Sequence, residues 1–598
     1  MQASRVWVAA SCLAMLGIAA CGGDGGGGGG EDGSTAPASL EIVAGNGQTA
    51  EVGRDLPGAL VVRVMDAAGR AVIGANVVWS VTSGGGAVAP ASAITDAEGM
   101  ARTQWTLGAI PGSNTATATV VGLPAATFSA TAVRSDVAAS VTVTSPTLAP
   151  YEGDTLQLLA IARDSSGNVL PDKLVTWSSS NPAIAPVSQS GSLQTWGTGE
   201  VTVSATVDGV VGTARLSLTP ILVTVTVGAK EVVFDWTTDR CEDYDVPDGP
   251  ARFVRAGDGS LVLFSGNAPR YFVSRGSGFN AMQRDCAAPV LISALRDTPE
   301  SYENVEWVWS VYREASSWHA LLHNEYHDAA ALTCQPGNPW PGNPCWYNSI
   351  SYAVSTDEAR SFSKPAAPAH TVAPAPNAWV PPEPGVLPEG NGFAEGYFEP
   401  SNIVRGEDGY YYAFLKAIPT KNWTAAQGLC VFRSNSPGDP STWRAWDGKG
   451  FNLRMTSPYA TASAAPVCAF LDTVLVAGHI VYDAYLERYI LVSAAQGPTE
   501  IDGRSVCGIL YSLSADLIHW SQRRLLAAAS LPWCPVDPVE PTALEPVSVL
   551  YPSLVDHADA TVNFERAGRT PHLYYTRFND GGLDRDLVRV PLTLTRTN

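Results

Sequence analysis

The run Trp318-His-Ala-Leu-Leu-His323-Asn-Glu325-Tyr-His327 alternates polar and apolar side chains toward its end. In an extended strand successive side chains point to opposite faces, so His323, Glu325 and His327 share one surface while Leu322, Asn324 and Tyr326 share the other. Burying three titratable groups on one face is costly unless they pair, hydrogen-bond or meet a ligand. The run is therefore a candidate for part of a functional site. The competing reading is an exposed edge strand carrying three solvated polar residues.

Four further stretches share its plan of an apolar strand with a polar or acidic mouth. They are Asp245-Val-Pro-Asp248-Gly-Pro-Ala-Arg252, Gly396-Tyr-Phe-Glu399-Pro-Ser-Asn, Leu475-Val-Ala-Gly-His479-Ile-Val-Tyr482 and Tyr551-Pro-Ser-Leu-Val-Asp556. The marker positions 248, 325, 399, 479 and 551 stand 77, 74, 80 and 72 residues apart. A near-constant spacing of this size signals radial repetition, one four-stranded sheet per blade. The expected fold is all-β, with a five-bladed β-propeller over residues 230–598. Such a ring brings the mouths of its innermost strands to one funnel, where Asp248, Glu325 and Glu399 are expected to meet.

The remaining chain is read against that ring. At 598 residues it exceeds one core, and 56 Gly with 43 Pro favour short strands and turns. With 57 acidic against 37 basic residues the formal charge is -20, which argues against a nucleic-acid partner. Residues 1–20 have Arg5 near the start, an apolar stretch and small residues before Cys21, the shape of a secretory signal. Ile18-Ala-Ala-Cys21 resembles the lipobox of bacterial lipoproteins, which implies lipidation of Cys21. Residues 21–37 then form a glycine-rich tether. The expectation is an exported monomer, lipid-anchored at the outer membrane or cell surface and touching the membrane through that anchor only.

Eight further cysteines all lie beyond residue 240: Cys241, Cys286, Cys334, Cys345, Cys430, Cys468, Cys507 and Cys534. An even set in an exported chain reads as a disulfide framework, and proximity suggests pairing them in sequence order, although order alone proves none. No CxxC spacing supports zinc.

Residues 38–134 alternate short apolar runs, such as Val77-Val-Trp79, with turn residues, the rhythm of an antiparallel sandwich. Residues 137–219 repeat it. Val175-Thr-Trp177-Ser-Ser-Ser-Asn-Pro182 with Gly197-Thr-Gly-Glu-Val-Thr-Val-Ser-Ala-Thr206 resembles the bacterial group 2 immunoglobulin-like repeats of surface proteins. The first block, with Asp96-Ala-Glu-Gly99 before Trp105, is similar to the related repeats of intimin and invasin. Trp79 and Trp177 read as core plugs, and both blocks as stalk.

Ser355-Thr-Asp357-Glu-Ala-Arg-Ser361 resembles the Asp-box turn of sialidases, with Ala359 where that motif prefers Gly. Ser514-Ala-Asp516-Leu-Ile-His-Trp520 and Asp439-Pro-Ser-Thr-Trp443 resemble outer-strand turns of the five-bladed glycosidases, the clan of arabinanases, xylosidases, invertases and levansucrases. These aspartates are expected to stitch turns. The clan resemblance implies a base Asp on the first blade, a helper acid on the second and a proton-donating Glu on the third, which fall at Asp248, Glu325 and Glu399. Glu325 departs from the clan's usual Asp, and Asp245 competes with Asp248.

Glycoside hydrolysis needs one protonated and one ionised carboxyl, and crowding acids raises at least one of them toward neutrality. The expected substrate is an extracellular glycan, held by His323, His327, Arg252, Trp346, Tyr397, His479 and Tyr551. Trp318, Tyr326, Trp340, Tyr347 and Phe398 add aromatic surface, and the proline-rich segment 363–395 with Trp379 reads as a lid or binding loop. No cofactor is expected, although His323, Glu325 and His327 leave a divalent cation in the funnel open. Two rivals stand beside the hydrolase. One is a glycan-binding adhesin without turnover. The other is a sialidase-like enzyme, for which Arg252, Arg405 and Arg577 could supply the arginines.

Overall fold

Strand burial follows the sequence alternation. Leu60–Met65 buries every second side chain, as do Met100–Leu107 and Val210–Leu218, so each sheet has one face to cover and pairs with another. The computed structural model describes residues 36–134, 136–327, 345–380, 393–419, 427–460, 465–471, 478–498, 505–535, 544–580 and 582–597. The expected signal, Cys21, its tether up to residue 35, Cys334, Trp340 and residues 381–392 of the proline-rich segment lie outside the described residues. The chain divides into two compact units, Met1–Ser140 with Ala162–Lys173, and Val141–Ile161 with Leu174–Asn598.

The first unit holds a sandwich. One sheet has the order Ser39–Ala44, Leu60–Met65, Met100–Leu107, Gly86–Ala89. The other runs Gln48–Glu51, Ala126–Val133, Gly112–Thr119, Asn76–Ser83, Ser92–Ile94. Trp79, Trp105 and Phe128 fill the space between.

In the second unit, Gly199–Val207 pairs with Thr176–Ser179 and Val210–Leu218 over a core that includes Leu156, Trp177 and Leu216. This module is fastened to the sheets beyond it rather than strung from them. The Arg524 guanidinium meets the Glu152 carboxylate at 2.7 Å with both side chains buried, Arg488 pairs with Asp154, and Trp196 stacks on His519 at 3.8 Å.

Five sheets follow. The first contains Arg252–Arg255, Leu261–Phe264, Val273–Gly276 and Gln283–Arg284, and the second Val305–Glu314, Ser317–Tyr326, Cys345–Ser355 and Thr371–Ala373. The third runs from Val404–Arg405 through Tyr411–Ile418 and Gly428–Ser434 to Arg444–Ala445. The fourth holds His479–Asp483, Arg488–Pro498, Ser505–Ser514 and Arg524–Ala528. The fifth, Val549–Val555, His572–Phe578 and Arg585–Arg596, is completed by Val223–Val227 and Glu231–Phe234, which precede the first sheet in the chain. The ring therefore recruits strand from before residue 230. Closing first against last in this way is what makes five sheets a wheel, a five-bladed β-propeller with few free edges.

The wheel is pinned at its axis. Arg252, 3% exposed, donates from Nε to the Trp309 carbonyl at 3.2 Å, from Nη2 to the Gly478 carbonyl at 3.1 Å and from Nη1 to Ser553 Oγ at 3.4 Å. One side chain thus joins the first blade to the second, fourth and fifth. Burial pulls its guanidinium down to about 9, still cationic at neutral pH. Asn402 bonds both backbone groups of Ile480, joining the third blade to the fourth, and His479 Nδ1 accepts the Leu554 N–H at 3.3 Å, joining the fourth to the fifth.

At the far end, the segment after the innermost strand of the fifth blade crosses the axis and touches the other four. Val562 accepts the Arg255 N–H, Asn563 brackets the backbone of Arg313, Glu565 accepts the Arg405 N–H, and residues 566–567 pair with 482–483. Glu565 also accepts from the Tyr312 hydroxyl at 3.3 Å.

Three disulfides form in the sequence order expected, Cys241–Cys286, Cys430–Cys468 and Cys507–Cys534. They suit an oxidising compartment outside the cytosol. The turn aspartates stitch as expected: Asp357 accepts from Arg360, Ser361 and Ser355, which with Ser361 Oγ hold it down at about 2 against the pull of burial. Asp516 accepts the N–H groups of Ile518 and His519.

Two outcomes are expected of this frame. Arg252→Met leaves two buried carbonyls and a hydroxyl without their donor, and should lower unfolding free energy by about 2–4 kcal/mol in denaturant titration. Burial raises Glu565 to about 6, so its contribution is fully present below the ordinary carboxylate value and is lost as pH rises through the folded one. Glu565→Gln should therefore gain about 1–2 kcal/mol on the wild type between about pH 4 and pH 6.

Candidate functional site

A parallel bridge between the second and third blades builds the mouth. Residues 345–348 pair with 393–396, and Gly396 sits at φ 121° where an added Cβ would meet the Asn348 carbonyl oxygen at 1.9 Å. Only glycine allows that approach. Three residues on, Glu399 takes a left-handed φ of 48°, unusual for a residue with a side chain. Since Asn348 is also the strand partner of Glu325, the bridge carries Glu399 to the acid on the next blade.

Glu325 reaches the mouth differently from the sequence expectation. It lies near the end of the second strand of its blade, opposite Val305, and the innermost strand is Val305–Glu314. The expected alternation holds: His327 Nε2 is 3.1 Å from Glu325 Oε2 and His323 Nε2 is 3.7 Å from Oε1. Asn348 hydrogen-bonds Glu325 as well, and its Nδ2 lies 2.8 Å from His323 Nε2.

Asp248 completes the set. Its Oδ1 accepts from the Tyr551 hydroxyl at 3.1 Å and from Arg585 Nη1. Glu399 makes no hydrogen bond through its carboxyl among the described residues. The three acids are thus held unequally, Glu325 by His327 and Asn348, Asp248 at one oxygen by two donors, and Glu399 by no hydrogen bond among the described residues.

Their charges are felt across the funnel. Burial, reinforced by Glu325 and Asp248, pushes the Glu399 carboxyl up, against the pull of Lys416. Burial pushes Glu325 the same way, but the hydrogen bond from His327 with His323 and Asn348 outweighs it and holds Glu325 below the usual carboxylate range. Burial keeps His323 below the ordinary imidazole value. Its ring is boxed by Trp309 at 5.1 Å, Trp307 at 5.8 Å and Phe398 at 6.0 Å.

Several expected contacts lie elsewhere. Arg252 and His479 are 3% and 4% exposed, with their hydrogen bonds spent on closing the ring. Tyr397 is fully buried in the core between the second and third blades, and Trp346 packs partly buried against Ala394, Phe398 and Ile418. Trp318 is core, while Tyr326, Tyr347 and Trp379 form a buried aromatic cluster. Residues 370–379 of the proline-rich segment are therefore packed rather than open, while residues 366–369 are exposed. Asp245 is fully buried against Arg284 and accepts the Cys241 N–H, which leaves Asp248 as the acid of its stretch at the mouth. The three arginines of the sialidase-like reading do not assemble: Arg252 is at the axis, Arg577 pairs with Asp586, and Arg405 lies at the opposite end of the ring against Glu565 and Tyr411. Among the described residues no group of three or more His, Cys, Asp and Glu is arranged to hold a metal.

Arg585, Lys416, Asn348, Trp307 and Trp309 escaped the sequence reading. The tryptophans had a signal in Val305-Glu-Trp-Val-Trp-Ser-Val-Tyr312, an apolar strand ahead of the His run. The other three had none.

A family model for the bacterial Ig-like domain (group 2) matches residues 137–217, the second sandwich. Comparison with curated proteins gives no match. Among solved structures, an endo-arabinase from Bacteroides thetaiotaomicron VPI-5482 is 11% identical, covering 60% of this chain and 97% of its own with a TM-score of 0.32. A protein of unknown function from Dyadobacter fermentans DSM 18053 is 9% identical, covering 62% and 99% with a TM-score of 0.34. Invasin, a bacterial integrin-binding protein, is 15% identical, covering 66% and 78% with a TM-score of 0.19.

Because the Glu325 charge helps push Glu399 up and Lys416 pulls it down, their removal should act with opposite sign. In a carboxyl titration followed by infrared difference spectroscopy, Glu325→Gln is expected to lower the Glu399 midpoint and Lys416→Met to raise it.

Proposed function

We propose that the chain is an exported carbohydrate-active enzyme that hydrolyses a glycosidic bond at the propeller mouth. The observation that carries this reading is the unequal holding of three neighbouring acids. A general acid has to keep its proton near neutral pH and be free to hand it over; Glu399, pushed up by burial and two like charges and bound by no donor, meets both needs. A base has to be oriented yet keep an oxygen free, and Asp248 has one oxygen pinned. Glu325, tied by His327 and Asn348 and held below the usual range, acts as a fixed charge that adds to burial in keeping Glu399 protonated. This reading gives the acids the division of roles that paired-carboxylate hydrolysis requires.

Trp307, Trp309 and Phe398 supply flat apolar faces beside the acids, the ordinary means of holding a sugar ring. Lipidation of Cys21, with residues 22–37 as tether, would hold the enzyme at the cell surface. A second reading, glycan binding without turnover, is favoured by the pairing of Asp248 and Glu325, since paired carboxylates also serve as fixed hydroxyl acceptors.

A panel of oligosaccharides incubated with wild type and Glu399→Gln separates the two. The hydrolase reading expects product from the wild type, a loss of about 10²–10⁴-fold in kcat in the variant, and a wild-type rate that falls as pH rises through the raised Glu399 value. Equal product from both proteins would remove Glu399 from the chemistry, and binding with no product from the wild type would leave the binding protein.

A further inference from the structure

We propose that Arg585 and Tyr551, both from the fifth blade, are the positioning residues for Asp248, so that the blade facing the acids across the mouth orients the base of the reaction. The inference rests on the hydrolase reading.

Both donors converge on one oxygen. Tyr551 Oη donates to Asp248 Oδ1 at 3.1 Å and Arg585 Nη1 donates to the same atom, while Oδ2 accepts no hydrogen bond among the described residues. A carboxylate held this way cannot rotate without breaking two hydrogen bonds, and it presents one defined oxygen to the funnel. The Asp248 side chain is 22% exposed and that of Arg585 11%, so the acid is the more open to solvent of the two.

The donors are themselves fixed. Arg585 Nε donates to the Gly582 carbonyl at 3.0 Å, and its guanidinium lies 4.5 Å over the Phe578 ring. Tyr551 stands edge-on to Trp309 at 5.7 Å and adopts a left-handed φ of 53° at an irregularity in its strand. Strain of this kind persists where the surroundings insist on a side-chain direction, and it gathers at functional sites. Stability alone does not call for this ion pair, because the same strand already carries Asp586 paired with Arg577 and Arg589 paired with Glu231.

In the step this serves, a water oxygen bonds to the anomeric carbon as the bond from that carbon to the leaving oxygen breaks. The Glu399 proton passes to the leaving oxygen, and a proton from the water passes to Asp248 Oδ2. Exchange with solvent then returns each acid to its starting form.

The test uses the full chain and the best oligosaccharide of the panel. Arg585→Met is expected to lose about 10²-fold in kcat with KM changed much less, the effect of a misaimed reacting group. Arg585→Lys should recover most of that loss, and guanidinium in the buffer should rescue Arg585→Ala. Tyr551→Phe, which removes one hydroxyl and spares the fold, should lose about tenfold in kcat, the weight of one hydrogen bond to a charged group. Folded Arg585→Met with kcat within about threefold of wild type, or losses that neither lysine nor guanidinium restores, would overturn the assignment. A wild type that cleaves no glycan strikes at the hydrolase reading instead.

Discussion

The structure depends on one buried cation. Arg252 is placed where five sheets converge, and its three donors close on acceptors from three other blades. Among the described residues no carboxylate hydrogen-bonds it, so its cost of burial is met by carbonyl dipoles and a hydroxyl. A ring of sheets splays readily unless something at the axis penalises opening. The strand recruited at 223–234 acts at the rim and the crossing segment 556–568 at the far end, but Arg252 fixes the level above which the mouth opens. Everything attributed to the funnel presupposes that floor.

The mouth is then an exercise in unequal solvation. Three acids share it, and the fold gives each a different set of donors. Histidines and an amide surround Glu325, the last blade holds one oxygen of Asp248, and Glu399 is left to burial and repulsion against the attraction of Lys416 alone. Such separation is how a single pocket keeps one carboxyl protonated beside ionised neighbours. The strained backbone at Glu399 and Tyr551 fits the same economy, since both residues stand where chain direction is sacrificed to aim a side chain.

Much of this was legible in the sequence. The period of the markers gave five blades even though Glu325 sits on a second strand, because a tight hairpin after Glu314 returns that strand to the mouth where its neighbour began. Strand alternation placed His323, Glu325 and His327 together, and proximity paired the cysteines of three disulfides. Arg252 was misread as a substrate contact because its acceptors lie 57, 226 and 301 residues away, and no local pattern announces an axis. Tyr397 was misread because it follows a glycine of positive φ inside the strand Phe393–Phe398, where simple alternation does not tell which face it takes. Arg585 was missed since only closure of the last blade on the first brings it to Asp248.

The most direct measurement is a crystal structure of the Glu399→Gln protein with an oligosaccharide bound. The account expects the sugar in the mouth, with its glycosidic oxygen within about 3 Å of residue 399 and the open oxygen of Asp248 facing the anomeric carbon through a water. A sugar seated away from the mouth, or residues 248, 325 and 399 dispersed over separate surfaces, would contradict it.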